Sequence, residues 1–240
     1  MTRILKRFRS SFLENAKFQK YLLYAFGEII LVMIGILLAL QVNNWNESRK
    51  ENILEKQLLE SLKIDLQKNK KELNRVLEKS IFTHETIDTL LKIYNNQIPD
   101  LDLEVHATYL LDATGYTVYS SSEGTITDIM GSGILGVIKN DSIRIAVGSW
   151  EANQKSLREW EKLSKQTTDA YMLKIYEYLD VYKEGFGSLL NSVERERMGN
   201  DRIMLNHLND RFHLTLMLNE LYRKELSRLN RLAHLIESEL

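Results

Sequence analysis

The chain has 240 residues, 44% of them apolar and 27% charged, with one proline, no cysteine and a formal net charge of −1. The absence of cysteine excludes a disulfide framework and any thiolate metal site, and the charge balance offers no electrostatic footprint for nucleic acid. A single proline amid abundant Leu, Glu, Lys and Asn predicts long helices.

Residues 1–20 carry Arg3, Lys6, Arg7, Arg9, Lys17 and Lys20 against Glu14 alone. Ile4, Leu5, Phe8, Phe12, Leu13 and Ala16 share one helical face, so this tail reads either as an amphipathic helix on an anionic inner leaflet or as an unstructured topology signal. Tyr21–Val42 follows, an apolar run with Glu28 as its one charged residue. At about 1.5 Å per residue it spans roughly 33 Å, enough to cross a hydrocarbon core of about 30 Å. Tyr21, Tyr24 and Trp45 stand where interfacial aromatics belong.

The tail's net +5 contrasts with residues 43–62, where Arg49, Lys50 and Lys56 face Glu47, Glu51, Glu55 and Glu60. Cationic flanks stay in the cytoplasm, so the N-terminus is expected inside and the rest of the chain exported. A cleavable signal peptide is the competing reading. Its apolar region would be shorter, about 7–15 residues, and Ala39-Leu40-Gln41-Val42 is a poor cleavage site, which favours an uncleaved signal anchor. The expected domains are a basic cytoplasmic tail at 1–20, a transmembrane helix at 21–43 and an extracytoplasmic helical domain at 44–240. The last has enough residues for a real core.

Two features of the span suggest contacts. Gly27, Leu31, Gly35 and Ala39 recur every four residues, and small residues on one face let a second helix approach closely. Glu28 is costly inside a bilayer, by a few kcal/mol on insertion scales. It implies either helix pairing through a hydrogen-bonded carboxyl or proton handling beside a partner helix.

From Asn46 to Tyr94 no Pro or Gly intervenes. Leu59, Leu62, Leu66, Asn69, Leu73, Val76, Ser80, Thr83, Ile87, Leu90 and Tyr94 step by three and four, a heptad seam weakened by Asn69, Ser80 and Thr83. The span is expected to continue into this long helix. The seam could pair between chains or serve one helix of an intramolecular bundle. Asn95–Asp102 holds the only proline and breaks the pattern. A short helix is expected over Leu103–Leu111, then a loop or short extended piece over Ala113–Gly124. Short helices are expected at Thr125–Met130 and Ile134–Ile138, joined at Gly131-Ser132-Gly133. Asn140-Asp141 caps a helix running to about Tyr182, whose Ile143, Val147, Trp150, Leu157 and Trp160 keep helical spacing. Gly185 and Gly187 mark a break, residues 191–202 form a charged connection, and a last helix covers 201–240. Leu205, Leu208, Phe212, Thr215, Asn219, Tyr222, Leu226, Leu229, Ala233, Ile236 and Leu240 follow strict heptad steps along it. The fold class expected is all-α: a transmembrane helix continuing into a long helix, with an extracytoplasmic antiparallel helical bundle or coiled coil.

The stretch Gly27–Glu47, GEIILVMIGILLALQVNNWNE, resembles the N-terminal signature of a family of uncharacterised bacterial single-pass membrane proteins. Its pattern is Gly-Glu-Ile, an apolar run, Ile-Gly-Ile-Leu, Ala-Leu-Gln, then Asn-Asn-Trp-Asn. SGILGVIKNDSIR, residues 132–144, is similar to that family's Ser-Gly-x-Leu-x-x-Ile-x-Asn segment. The resemblance implies a protein of the bacterial cytoplasmic membrane with a helical exported domain, and it brings no activity or catalytic residue.

No arrangement of residues points to catalysis. Gly131-Ser-Gly-Ile-Leu-Gly136 spells GxGxxG but lacks the strand a dinucleotide fingerprint needs, so it reads as a turn between helices. His84, His106, His207, His213 and His234 show no ligand spacing, and Asp100 and Asp102 lack the rest of a calcium loop. Trp150, Trp160, Tyr171, Tyr176, Tyr178 and Tyr182 are expected to pack a core, with a ligand pocket as the less favoured reading. The expectation is therefore a non-enzymatic protein without cofactor or metal, set in a lipid bilayer and assembling with itself or with a membrane protein partner. The alternatives are a small-molecule sensor-like bundle and an ion-coupled subunit using Glu28.

Overall fold

A computed structural model describes residues 16–183 and 189–240. The amphipathic face expected over residues 4–16 and the break at Gly185 and Gly187 lie outside the described residues, Ala16 excepted. All regular structure among the described residues is helical. The chain divides into two compact units, Met1–Glu55 and Lys56–Leu240.

The described part of the first unit belongs to α1 (Ala16–Tyr94). Every residue from Lys20 to Ile53 is exposed, including the apolar run expected to span a membrane. It is the one helix among the described residues long and apolar enough to do so.

The second unit begins with the remainder of α1. Its seam is buried within this chain: Leu59, Leu66, Leu73, Val76, Ile87 and Leu90 are each at most 1% exposed. The helix stops at Tyr94, and Asn96 takes a left-handed φ of 55° ahead of the proline. Next come α2 (Leu103–Asp112), capped by the Asp102 carboxylate, and an irregular segment from Ala113 to Glu123. α3 (Gly124–Ser132) ends at Gly133, whose φ of 71° suits glycine, and a 3-10 turn (Ile134–Val137) follows. The GxGxxG stretch is thus a turn between helices. Asn140 caps α4 (Asp141–Gly148), its Oδ1 accepting the Ser142 and Ile143 amides, and α5 (Trp150–Ile175) follows. A 3-10 turn at Val181–Lys183, α6 (Ser192–Gly199) and α7 (Arg202–Glu239) complete the chain.

Three expectations change. The single helix from Asp141 to Tyr182 is two helices, and the second stops at Ile175. At the junction Asn153 Nδ2 donates to Ser149 O at 2.6 Å while its own backbone N–H reaches the same carbonyl at 3.2 Å, a side-chain competition that loosens the turn. The charged connection 191–202 is largely the two-turn α6, started by the Asn191 cap and anchored by buried Met198. On α7, Leu208, Thr215, Asn219, Tyr222, Leu229 and Ile236 are buried as expected. Of the other expected row, however, Leu205, Phe212, Leu226 and Ala233 are only half-buried and Leu240 is exposed. Met204, Arg211, Leu218, Glu225 and Leu232 are buried instead. The face is wide because α1 and α5 both pack on it, and apolar spacing alone passes over an arginine and a glutamate.

α1 and α7 run antiparallel: Lys63 pairs with Glu237 at 3.4 Å, and further along His84 Nδ1 lies 2.9 Å from Thr215 Oγ1. α5 and α7 are antiparallel too, with Gln154 bonded to Glu225, Glu161 to Tyr222 and Thr168 to Arg211. The apolar interior falls into two clusters. One gathers Leu59–Val76 of α1, Leu218–Ile236 of α7, and α3 and α4. The other gathers Ile87, Leu90, α2, Tyr171, Ile175 and Leu208. Ser80, Thr83, Glu161, Ser164, Arg211 and Thr215, all buried, lie along the helices between the two clusters.

Candidate functional site

The residues singled out in the span stand on the exposed part of α1. Gly27, Gly35 and Ala39 keep their four-residue phase along one helix, and a Cβ on Gly27 or Gly35 would meet nothing within 4 Å. Glu28 is exposed beside them. These side chains meet no other element of their unit among the described residues.

The second unit holds a polar network that the sequence did not announce. It is built around Ala113–Thr125. Burial alternates along this segment, with Thr117 and Tyr119 inward and Tyr116, Val118 and Ser120 outward. Among the described residues no backbone–backbone hydrogen bond ties 116–122 to a helix, and side chains do it. From α7, Arg211 Nε donates to Ala113 O at 2.7 Å, one terminal nitrogen donates to Gly115 O at 2.6 Å, and the other donates to Thr168 Oγ1 of α5. From α5, Glu161 Oε1 accepts the Tyr119 amide and the Tyr222 hydroxyl, both at 2.8 Å. From α1, Asn69 brackets Ser122 with its amide, and Asp65 accepts Ser122 Oγ and both the amide and hydroxyl of Thr125.

Electrostatics follow from burial. Arg211 is 1% exposed, with Tyr171 under its guanidinium, and desolvation pulls it down to about 10. Glu161 is raised above the ordinary carboxylate range by desolvation, against the two hydrogen bonds it accepts. Asp65 shows the opposite balance: burial pushes it up, but the bonds from Thr125 and Ser122 outweigh that and leave it lowered. Ser80 Oγ and Asn219 Oδ1, both buried, have no hydrogen-bond partner among the described residues. One turn along each helix from the His84–Thr215 contact reaches both.

At the far end of α1, Tyr94 OH lies 2.9 Å from His106 Nε2 and 3.0 Å from Met198 Sδ, to which it donates. His106 is fully buried, its Nδ1 has no partner among the described residues, and desolvation lowers its pKa. His84 stacks on Phe212. Among the described residues no group of three or more His, Asp or Glu side chains could hold a metal.

The aromatic residues of α5 and of the segment after it divide. Tyr171 and Tyr178 are buried, Trp160 is half-buried, and Tyr176 and Tyr182 are exposed. Trp150 lies at the base of a cleft of about 220 Å³ between α4 and α7. Ser142, Ala146 and Ser149 line one side, Leu229, Leu232 and Leu235 the other. Arg228 and Arg231 also line it, and Glu225 is engaged there by Gln154 and Arg228. The signal for such a groove was present in the small residues at helical spacing on α4, but nothing in the sequence set α7 opposite them.

No curated protein and no solved structure matches the chain. A family model does match, over residues 28–158, which takes in Glu28, the seam of α1, the inlaid segment with its Asp65, Asn69 and Glu161-facing residues, and the first part of α5. The chain belongs to that family, the Family of unknown function (DUF6090).

Proposed function

We propose that the protein is a bacterial, membrane-anchored helical protein that assembles with itself or binds a membrane protein partner, and that it is not an enzyme. The supporting observation is the run Tyr21–Val42, apolar and exposed throughout on α1. In water that surface would be untenable, so lipid or another chain covers it. The basic residues before the run favour a cytoplasmic N-terminus and an extracytoplasmic helical bundle. Glu28, Gly27, Gly35 and Ala39 form the contact face: small residues admit a neighbouring helix and the carboxyl finds a partner on it. Because the chain has no cysteine, single cysteines at Gly35 or Ala39 report contact cleanly. Cross-linked dimers or a co-purifying partner are expected in native membranes. A strict monomer with no companion protein would overturn the reading. Glu28→Gln is expected to weaken assembly; intact assembly with lost ion-dependent activity would favour an ion-coupled subunit instead.

A second reading, a small-molecule sensor-like bundle, is favoured by one observation: the cleft between α4 and α7 with Trp150 at its base. A ligand that raises the melting temperature of the full-length protein would support it.

A further inference from the structure

The cleft between α4 and α7 has a charge pattern that narrows its ligand. Small residues at Ser142 and Ala146 of α4, and Ser149 at its junction with α5, line one side of the cleft, where larger ones would close the gap against the leucines of α7. Ile145, beside them, is left 71% exposed. The space, about 220 Å³, exceeds the 150 Å³ or so of an apolar cavity known to take up benzene.

The acid in the cleft is already engaged. Glu225 Oε1 accepts Gln154 Nε2 at 2.9 Å, its Oε2 accepts Arg228 at 2.6 Å, and the carboxylate side chain is only 8% exposed. Arg231 has no acidic partner among the described residues, and Arg228 retains guanidinium donors beyond the one bonded to Glu225. Arg228 offsets the Glu225 carboxylate, so the polar side of the cleft carries a net positive charge supplied by Arg231.

We propose that the cleft binds a small organic acid with an aromatic or branched aliphatic body. The body lies on Ala146, Leu229 and Leu232 above Trp150, and the carboxylate meets Arg231 and Arg228. An amine of the same size would meet a net positive charge, and a neutral analogue would leave Arg231 without a counter-charge. This assignment rests on the sensor-like reading and adds the ligand's chemical class.

The test uses the full-length protein in lipid nanodiscs, with benzoate and isovalerate as probes and benzamide and benzylamine as controls, followed by calorimetry and ligand-observed NMR. At least one acid should bind, with benzamide at least tenfold weaker and benzylamine undetectable. Arg231→Gln should weaken the acid about tenfold. Ala146→Leu, which fills the cleft, should abolish binding, and its melting temperature establishes that the variant is folded. Equal binding of acid and amide would overturn the carboxylate assignment while leaving a ligand-binding cleft. Binding that survives Ala146→Leu would place the ligand elsewhere and overturn the proposal. Failure of all four compounds to bind would overturn both the proposal and the sensor-like reading.

Discussion

Asn69 holds Ser122 by both edges of its peptide: Nδ2 donates to the serine carbonyl at 3.0 Å and Oδ1 accepts the serine amide at 2.5 Å. The two residues are 53 positions apart, and this one side chain does for the inlaid segment what a β-ladder would do for a strand. By heptad logic alone Asn69 is a defect in an apolar seam. In the folded chain it supplies the hydrogen bonds that make a non-helical segment tolerable among helices.

Asn69→Leu therefore separates the two accounts. Coiled-coil reasoning expects stabilisation from an added seam leucine. The structure expects a loss of about 1–3 kcal/mol, because a donor and an acceptor on Ser122 lose their partners. Urea denaturation of the variant measures the sign.

Arg211→Met tests the other end of the segment. Ala113 O, Gly115 O and Thr168 Oγ1 all lose the same partner. Hydrogen bonds to a charged group contribute roughly 1.5–3 kcal/mol each, not additively, so a cost of about 3 kcal/mol or more is expected. Arg211→Lys should recover only part of it, since an ammonium lacks the planar fork. Hydrogen exchange should show the loss first at residues 113–119.

Gly115 faces Thr83 at close quarters. A Cβ there would stand 2.6 Å from Thr83 Oγ1 and 3.1 Å from Asp112 O. Gly115→Ala is expected to cost about 1–3 kcal/mol by overpacking. Thr83→Ala should relieve part of that cost in the double variant, and a double-mutant cycle by thermal unfolding gives the coupling.

Two buried groups give pH dependences of opposite sign. His106 has a lowered pKa in the folded chain, so the unfolded chain binds more protons as pH falls below the ordinary histidine value of about 6.5. Its contribution is full above that pH and is lost on acidification; His84 is lowered as well and acts in the same direction. His106→Gln should flatten the stability profile between neutral and mildly acidic pH. Glu161 is raised, so the folded chain holds its proton longer and stability falls as pH rises from the ordinary carboxylate value through the raised one. Both donors use Oε1, which leaves Oε2 to carry that proton without breaking either bond. Glu161→Gln should accordingly keep the fold and remove the decline. Denaturation midpoints across pH for the two variants check both signs.

Much of this protein was legible from residue order. The exposed apolar run, the end of α1 before the proline, the Asn140 cap, the turn at Gly131–Gly133 and the last helix all follow from local rules of hydropathy, backbone freedom and capping. These depend on neighbours a few positions away, which the sequence displays directly. The partners of Asn69, Glu161, Arg211 and Tyr222 lie 42 to 105 positions distant, and no periodicity reveals them. Whether a polar residue in a helical seam is a flaw or a ligand for another segment's backbone depends on what the fold places opposite it. The cleft is of the same kind, since the small residues Ser142, Ala146 and Ser149 become a cavity only once the leucines of α7 are set against them.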